Sequence, residues 1–390
     1  MKVRKLKKNE LPEAYLISAY CFHVRTDDVD AEIRKIDASN RGDWGAFDDD
    51  GTLLARIIDN HYTFYLDGHE ISVGGIGAVS TLPEYRDRGA IREIFIKLLK
   101  DAYRNGEVMS ALFPFKHAFY RKVGYETITH RNTYTFAPEV LSGYRFDGEV
   151  KKWNTDDSVT EFLSVYSGFA QRFNMAAVRT EEMMREHLKV DKPFADRKFS
   201  YMLRRDGKPI AYLIFTDIRH DPAAILEVEE CAWTCRDGFD AILGFLARFE
   251  ADYGEIKLPL PLGIDLLRII RSPRSYRIEK KTGQNFMARV INVQKLLELI
   301  KKPAGCDIVI KVRDEIIKEN NRTFRVKGSK VLETKGTAEI ELSERALAQM
   351  AIGAINLDEA MLRDDVTVRA KEEMLRTLFP EKRIFVGEHF

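Results

Sequence analysis

Residues 80–102 read STLPEYRDRGAIREIFIKLLKDA. A strand-like apolar run stops at Pro83, the chain passes three arginines and a glycine, and a new period begins. Ile91, Ile94, Phe95, Leu98, Leu99 and Ala102 fall on one face of a helix. Asn105-Gly106 ends that helix and VMSALFPF (108–115) reads as the next strand. Strand, arginine loop, helix and strand in this order describe a right-handed crossover in a mixed sheet. A helix N-terminus offers N–H groups without intrahelical partners and the positive end of the helix dipole, so a diphosphate is favoured there. Gly89 leaves room for a close ligand, and Arg86, Arg88 and Arg92 can add charge-assisted bonds. The tetrapeptide R-x-x-G is common, and a solvated charged turn satisfies it equally.

Upstream, Asn9, Glu10 and Pro12 signal a helix start, and the helix is expected to run to about Cys21. Asp50-Gly51 and Asp67-Gly68 are hairpin signals that tie the runs between Trp44 and Leu82 into an antiparallel meander. From about Tyr144 the same order starts again, with a third hairpin at Asp206-Gly207 and a helix at FDAILGFLARFEADY (239–253). Its strand-to-helix joint, TCRDGFDAI (234–242), lacks the proline and the arginine pair, so no phosphate is expected there. From about Asn285 the pattern becomes a small α+β domain ending in the tail RIFVGEHF (383–390), whose Ile384 and Val386 alternate as in an extended segment. The fold class is therefore α+β, with domains at 1–143, 144–284 and 285–390.

The chain has 390 residues, too many for one core. Its 62 basic and 61 acidic residues leave a net charge of +1, which argues against a general nucleic-acid binder. Four scattered cysteines suit a reducing compartment, and the absence of an apolar run of membrane length makes a soluble cytoplasmic protein the expectation. Cys231 and Cys235 have no partner pair at zinc spacing, and strand alternation puts both sulfurs on one buried face. His61, His69 and His117 form no ligand set in the sequence, so no metal is expected. Ser110 and Ser200 lack the setting of a hydrolase nucleophile. Asp27 and Asp28 read as a solvated helix start, with attraction of a cationic amine as a secondary reading.

The stretch GGIGAVSTLPEYRDRGAIREIFIKLLKDA (74–102), followed by ALFPFKHAFYRKVGYE (111–126), resembles the GNAT N-acetyltransferases, whose [Q/R]-x-x-G-x-[G/A] loop holds the pyrophosphate of coenzyme A. Ile91 departs from the small residue of the general pattern. A bulky aliphatic there, FYRKVGYE, NFMARVINV (285–293), AEIELSERAL (338–347) and an aromatic C-terminus are closer to the enhanced-intracellular-survival (Eis) family. That resemblance spans essentially the whole chain. It implies two tandem GNAT-like domains, the second degenerate, and a sterol-carrier-like domain at 285–390.

The resemblance also implies acetyl-CoA as co-substrate, an amine acceptor such as a polyamine, lysine or aminoglycoside, and a homo-oligomer, often a trimer-based hexamer. It puts backbone groups of Val79, Ser80 and Thr81 along the pantetheine arm and thioester. The loop Arg86, Asp87, Arg88, Gly89, Ala90, Ile91 and Arg92 falls on the phosphates, and Phe115 lies near the cofactor. Tyr120 takes the place of the general acid, and the carboxylate of Phe390 that of the general base. Phe113-Pro114-Phe115 stands where other lineages carry His-Ala-Ser, a departure that bears on the acceptor more than on the reaction. The competing expectation is a non-catalytic carrier that holds a lipid in the C-terminal domain.

Overall fold

The helix expected after the arginine loop runs Ala90–Arg104 in the computed structural model, and all six residues of its anticipated apolar face are buried. Burial of each Ile, Leu or Phe there contributes about 1.5–3 kcal/mol before entropy is counted. The structure describes residues 1–24, 41–190, 197–220, 223–271 and 277–390. Asp27 and Asp28 lie outside the described residues. Two compact units result: Met1–Thr129 with Asn285–Lys382 and Glu388–Phe390, and His130–Gln284 with Arg383–Gly387.

The first unit opens with β1 (Lys2–Lys5), α1 (Leu11–Phe22), β2 (Arg41–Phe47), β3 (Leu53–Leu66) and β4 (His69–Thr81). These strands form the antiparallel meander that the Asp-Gly pairs announce. At the β3–β4 turn both Asp67 and Gly68 have positive φ, +51° and +87°, which matches the twist of the flanking strands. Helix α2 (Ala90–Arg104) then carries the chain over to β5 (Met109–Leu112), which lies parallel to β4. A short helix α3 (His117–Arg121) follows.

The second unit repeats this order. It contains β6 (Glu126–Phe136) from His130 onward, β7 (Glu149–Lys152), α4 (Thr160–Ala170), α5 (Glu181–Leu188), β8 (Lys198–Arg205), β9 (Lys208–His220) and β10 (Ala223–Trp233). Helix α6 (Arg236–Leu246) leads to β11 (Glu255–Leu260), parallel to β10. This is the β4–α2–β5 crossover again. The expectation for the two cysteines fails here: Cys231 is buried on β10, but Cys235 has left the strand to precede α6 and is exposed. The tail segment of this unit is clasped at Ile384, which bridges to Asn174 and Leu262.

Strand β12 (Ile278–Val290) returns to the first unit, where Met287–Val290 pair antiparallel with β5. Then come α7 (Val293–Leu299), β13 (Asp307–Arg313), β14 (Thr323–Lys327), β15 (Lys330–Glu333), β16 (Ile340–Ser343), α8 (Glu344–Ile352), α9 (Leu357–Met361), β17 (Val366–Val368) and α10 (Glu372–Leu378). The five short strands make a separate sheet in the order β15-β14-β13-β16-β17. Arg289 of β12 is fully buried and ties these parts together: it donates to Asp314 at 2.7 Å, to Glu344 at 3.0 Å and to the Val123 carbonyl at 3.1 Å.

Candidate active site

Near its C-terminal end β4 departs from regular pairing. Ser80 opposes Arg56 and Gly77 opposes Ile58, so Ala78 and Val79 together face the single residue Ile57. This is a β-bulge, and it places Ala78 at φ +47°, a left-handed conformation that an L-residue holds only when its surroundings impose it. The extra residue drops out of the ladder, which frees backbone groups at the point where β4 and β5 stop pairing. Val79 is half-buried; Ser80 is buried, its hydroxyl donating to the Ala78 carbonyl at 3.0 Å and lying 3.2 Å from that of Ser18 on α1. The Thr81 carbonyl accepts from the Cys21 thiol at 3.3 Å.

Beyond Pro83 the arginine loop is open to solvent. Arg86, Asp87, Arg88 and Gly89 are exposed, Ala90 and Ile91 turn into the core, and Arg92 faces out again. Asp87 and Gly89 have φ of +63° and +78°, and Gly89 precedes α2 as its N-cap. Gly89 is required by that backbone angle, since a Cβ built there would meet no atom. Among the described residues no side chain caps this helix. Its first intrahelical bond runs from Glu93 N–H to the Gly89 carbonyl at 3.1 Å, so the N–H groups of Ala90, Ile91 and Arg92 have no partner within the helix. Helices α5, α7, α8 and α9 each have a Thr, Asn or Ser side chain in that role. Around the open end, Arg88 is 3.6 Å from Asp48 and lies over the Tyr85 ring, and Arg92 is 3.6 Å from Glu93.

Tyr120 lies on α3 and is buried among Phe95, Phe115, Phe119 and Tyr125, with ring centroids 5.2 to 6.3 Å away. Burial pushes its phenol well above the usual tyrosine range. Phe115, 69% exposed, covers one side of it.

Phe390 reaches the same unit. Its ring packs on Tyr62, Phe113 and Phe286 at 5.2, 5.7 and 5.9 Å, and its carboxyl carbon is 3.1 Å from where a Cβ on Gly77 would stand. The carboxyl of Phe390 therefore rests against β4 immediately before the bulge, close over the bare backbone of Gly77. His389 stacks on Phe113 at 5.0 Å. Burial, with the Glu388 carboxylate nearby, pushes the Tyr62 phenol up to about 12. Phe113 thus contacts the tail and Phe115 contacts Tyr120, so the Phe-Pro-Phe departure frames both groups. Tyr62, Phe286 and the bulge at Ala78 escaped the sequence reading. Tyr62 bears no motif, Phe286 stands in NFMARVINV without any sign that it meets the tail, and a bulge leaves no trace in an apolar strand.

One expectation is corrected in this unit. His61 does belong to a cluster: its ring and the carboxylates of Asp59 and Glu107 have donor atoms all within 4.8 Å of one another. It escaped notice because Glu107 joins β3 only through the α2 crossover.

Residues 2–128 match the family described as acetyltransferase (GNAT) domain, and residues 293–387 match the sterol carrier protein domain. Among curated proteins none matches the sequence. Solved structures similar over the whole chain include a probable N-acyltransferase from Enterococcus faecalis (22% identity, TM-score 0.88, 100% of this chain and 99% of that one). A GCN5-related N-acetyltransferase from Anabaena variabilis (20%, 0.87, 100% of both) and Eis1 from Mycobacterium abscessus (18%, 0.84, 100% of both) are also similar. At these identities the likeness is one of fold. Residues 2–128 are a GNAT acetyltransferase domain, and the protein is an enzyme of the acyltransferase class.

Proposed function

We propose that the protein is an acetyl-CoA-dependent N-acetyltransferase of the Eis type, which transfers an acetyl group to a primary amine by direct attack on the thioester. The observation that carries this reading is the joint of β4 and α2: a bulge that frees backbone groups at Ala78 and Val79, followed by a helix whose N-terminus no side chain caps.

The N–H groups of Ala90 to Arg92 and the cations Arg86, Arg88 and Arg92 suit the diphosphate of the co-substrate. Backbone groups of Val79, Ser80 and Thr81 run along its arm, and an N–H at the bulge polarises the thioester carbonyl, a contact worth about 3 kcal/mol in comparable sites. Phe115 flanks the thioester end. Attack needs a neutral amine. The carboxylate of Phe390, held against Gly77, accepts the amine proton directly or through a water as the C–N bond forms. When the C–S bond breaks, the electron pair stays on sulfur and Tyr120 donates its proton there. Its raised pKa keeps that proton in place at neutral pH.

The acceptor is a cationic amine such as a polyamine, a lysine side chain or an aminoglycoside-type amine, drawn by the Glu388 and Phe390 carboxylates. The domain division at 143/144 and 284/285, a cytoplasmic location in keeping with four free cysteines, and assembly as a trimer-based hexamer complete the proposal. Sedimentation at micromolar concentration tests the last; a monomer removes it. The chemistry is tested by following free thiol release from acetyl-CoA over a panel of amines. Release that depends on one class of amine is expected. A protein that binds acetyl-CoA by calorimetry yet acetylates no amine of the panel overturns the assigned acceptor class. A protein that does not bind acetyl-CoA overturns the reading altogether.

A further inference from the structure

Asp59 on β3 and Glu107, between α2 and β5, are both at least 95% buried, and they point at one spot. A Cβ built on Gly74 would be 2.5 Å from Asp59 Oδ1 and 2.8 Å from Glu107 Oε2, so the two oxygens converge over the bare backbone of β4. Among the described residues neither oxygen has a hydrogen-bond partner. Leaving two carboxylate oxygens buried and unmatched is costly, and their mutual repulsion adds to that cost. The third side chain present is an imidazole: His61 Nδ1 is 3.4 Å from Glu107 Oε1. Lys5, paired with Asp101 at 2.9 Å, and Asp101 itself are the other charged groups that act on Asp59, with opposite effects.

We propose that Asp59, His61 and Glu107 form a site for one divalent first-row transition-metal ion, zinc above all, that fastens the C-terminal end of α2 to β3. The donor atoms lie within 4.8 Å of one another, and a tetrahedral ion with bonds of about 2.0–2.1 Å needs donors about 3.3 Å apart, so small side-chain movements complete the set. An imidazole with two carboxylates selects zinc over magnesium or calcium, which prefer all-oxygen shells. His61 is half-exposed and gives the ion an entry path, with a fourth position open to water. The cluster belongs to no step of acetyl transfer. Its role is to hold in place the helix whose other end forms the arginine loop.

The test uses the full-length protein, stripped with a chelator and titrated with zinc chloride by calorimetry and thermal melting, with cobalt(II) as an absorbing probe. One ion per chain and a midpoint higher by a few degrees are expected. Glu107→Gln and the surface-accessible His61→Asn should each weaken binding at least tenfold and abolish the rise, and His61→Asn remains informative if Glu107→Gln fails to fold. Absence of stoichiometric zinc binding in the parent overturns the proposal. Binding that both variants retain also overturns it, since the ion then sits elsewhere, for instance at exposed Cys235.

Discussion

The carboxyl carbon of Phe390 stands 3.1 Å from the point that a Cβ on Gly77 would occupy. Gly77→Ala therefore pushes the terminal carboxyl off β4 without touching the arginine loop. The carboxyl has to give way by a few tenths of an ångström, and because misplacement by about 1 Å at a reacting group costs roughly 100-fold in rate, turnover should fall severalfold while acetyl-CoA affinity stays near the parent value. Residues added after Phe390 move the charge farther and should lower turnover more. Parent-rate acetylation by a C-terminally extended protein of verified mass would shift the base to Glu388 or His389.

Tyr120→Phe keeps the packing of the ring against Phe95 and Phe115 and removes the proton. Turnover should drop by about 100-fold, at the lower end for a lost general acid, with little change in acetyl-CoA binding. Burial raises the phenol pKa, so its acidic form persists to higher pH than in an ordinary tyrosine. The pH–rate profile should accordingly show no alkaline loss below about pH 10, a reference value for free tyrosine. A loss near pH 9 that Tyr120→Phe leaves unchanged would assign the acid elsewhere.

At the mouth of α2, Arg86 is exposed and has no ion-pair partner among the described residues. Arg86→Ala should weaken acetyl-CoA binding severalfold, more at low salt, with an unaltered melting temperature. Gly89→Val goes further, because φ of +78° costs a β-branched residue at least 1–2 kcal/mol and the loop must rearrange. Calorimetric titration decides, and unchanged affinity in both folded variants reduces the loop to a turn.

Arg289 answers two buried carboxylates, and Asp314 in turn accepts the N–H groups of Ile316 and Ile317 and the Asn320 amide. Arg289→Met strands these charges, which costs about 3–5 kcal/mol for a buried pair. Urea unfolding should show that loss. A change under about 1 kcal/mol would mean that the site relaxes or protonates without penalty.

Asp365 sets part of the acid stability. Burial alone raises its pKa, but Arg363 and the Ser343 hydroxyl outweigh that and hold it at about 2. The depressed value means that the contribution is present above pH ~4, the unfolded value, and is lost as pH falls toward 2. With solvent screening it amounts to about 1 kcal/mol. Asp365→Asn should lower stability at pH 7 by that amount and leave it nearly unchanged at pH 2.

Periodicity made α2 legible to within a residue or two, and the Asp-Gly pairs located the hairpins, because both signals are local. A motif marks Arg86 to Arg92 in the sequence, and the structure places that stretch at the N-terminus of α2. Three features were not legible. The bulge at Ala78 depends on how β3 and β4 are paired, the seat of Phe390 on Tyr62 and Phe286 joins distant segments, and the Asp59, His61 and Glu107 cluster needs the crossover to bring it together. Cys235 misled for a related reason: alternation predicts a face only while the strand continues, and β10 ends at Trp233.

The pairing of Met287 with Leu112 has a consequence for biosynthesis. The strand that covers the edge of β5 is encoded about 175 residues after it, and at roughly 5–20 residues per second the ribosome delivers it about 10–35 seconds later. Throughout that interval the nascent acetyltransferase domain exposes an unpaired strand to neighbouring chains. Slower translation across residues 113–290 should therefore lower the yield of native protein, and chaperone occupancy during it should raise the yield.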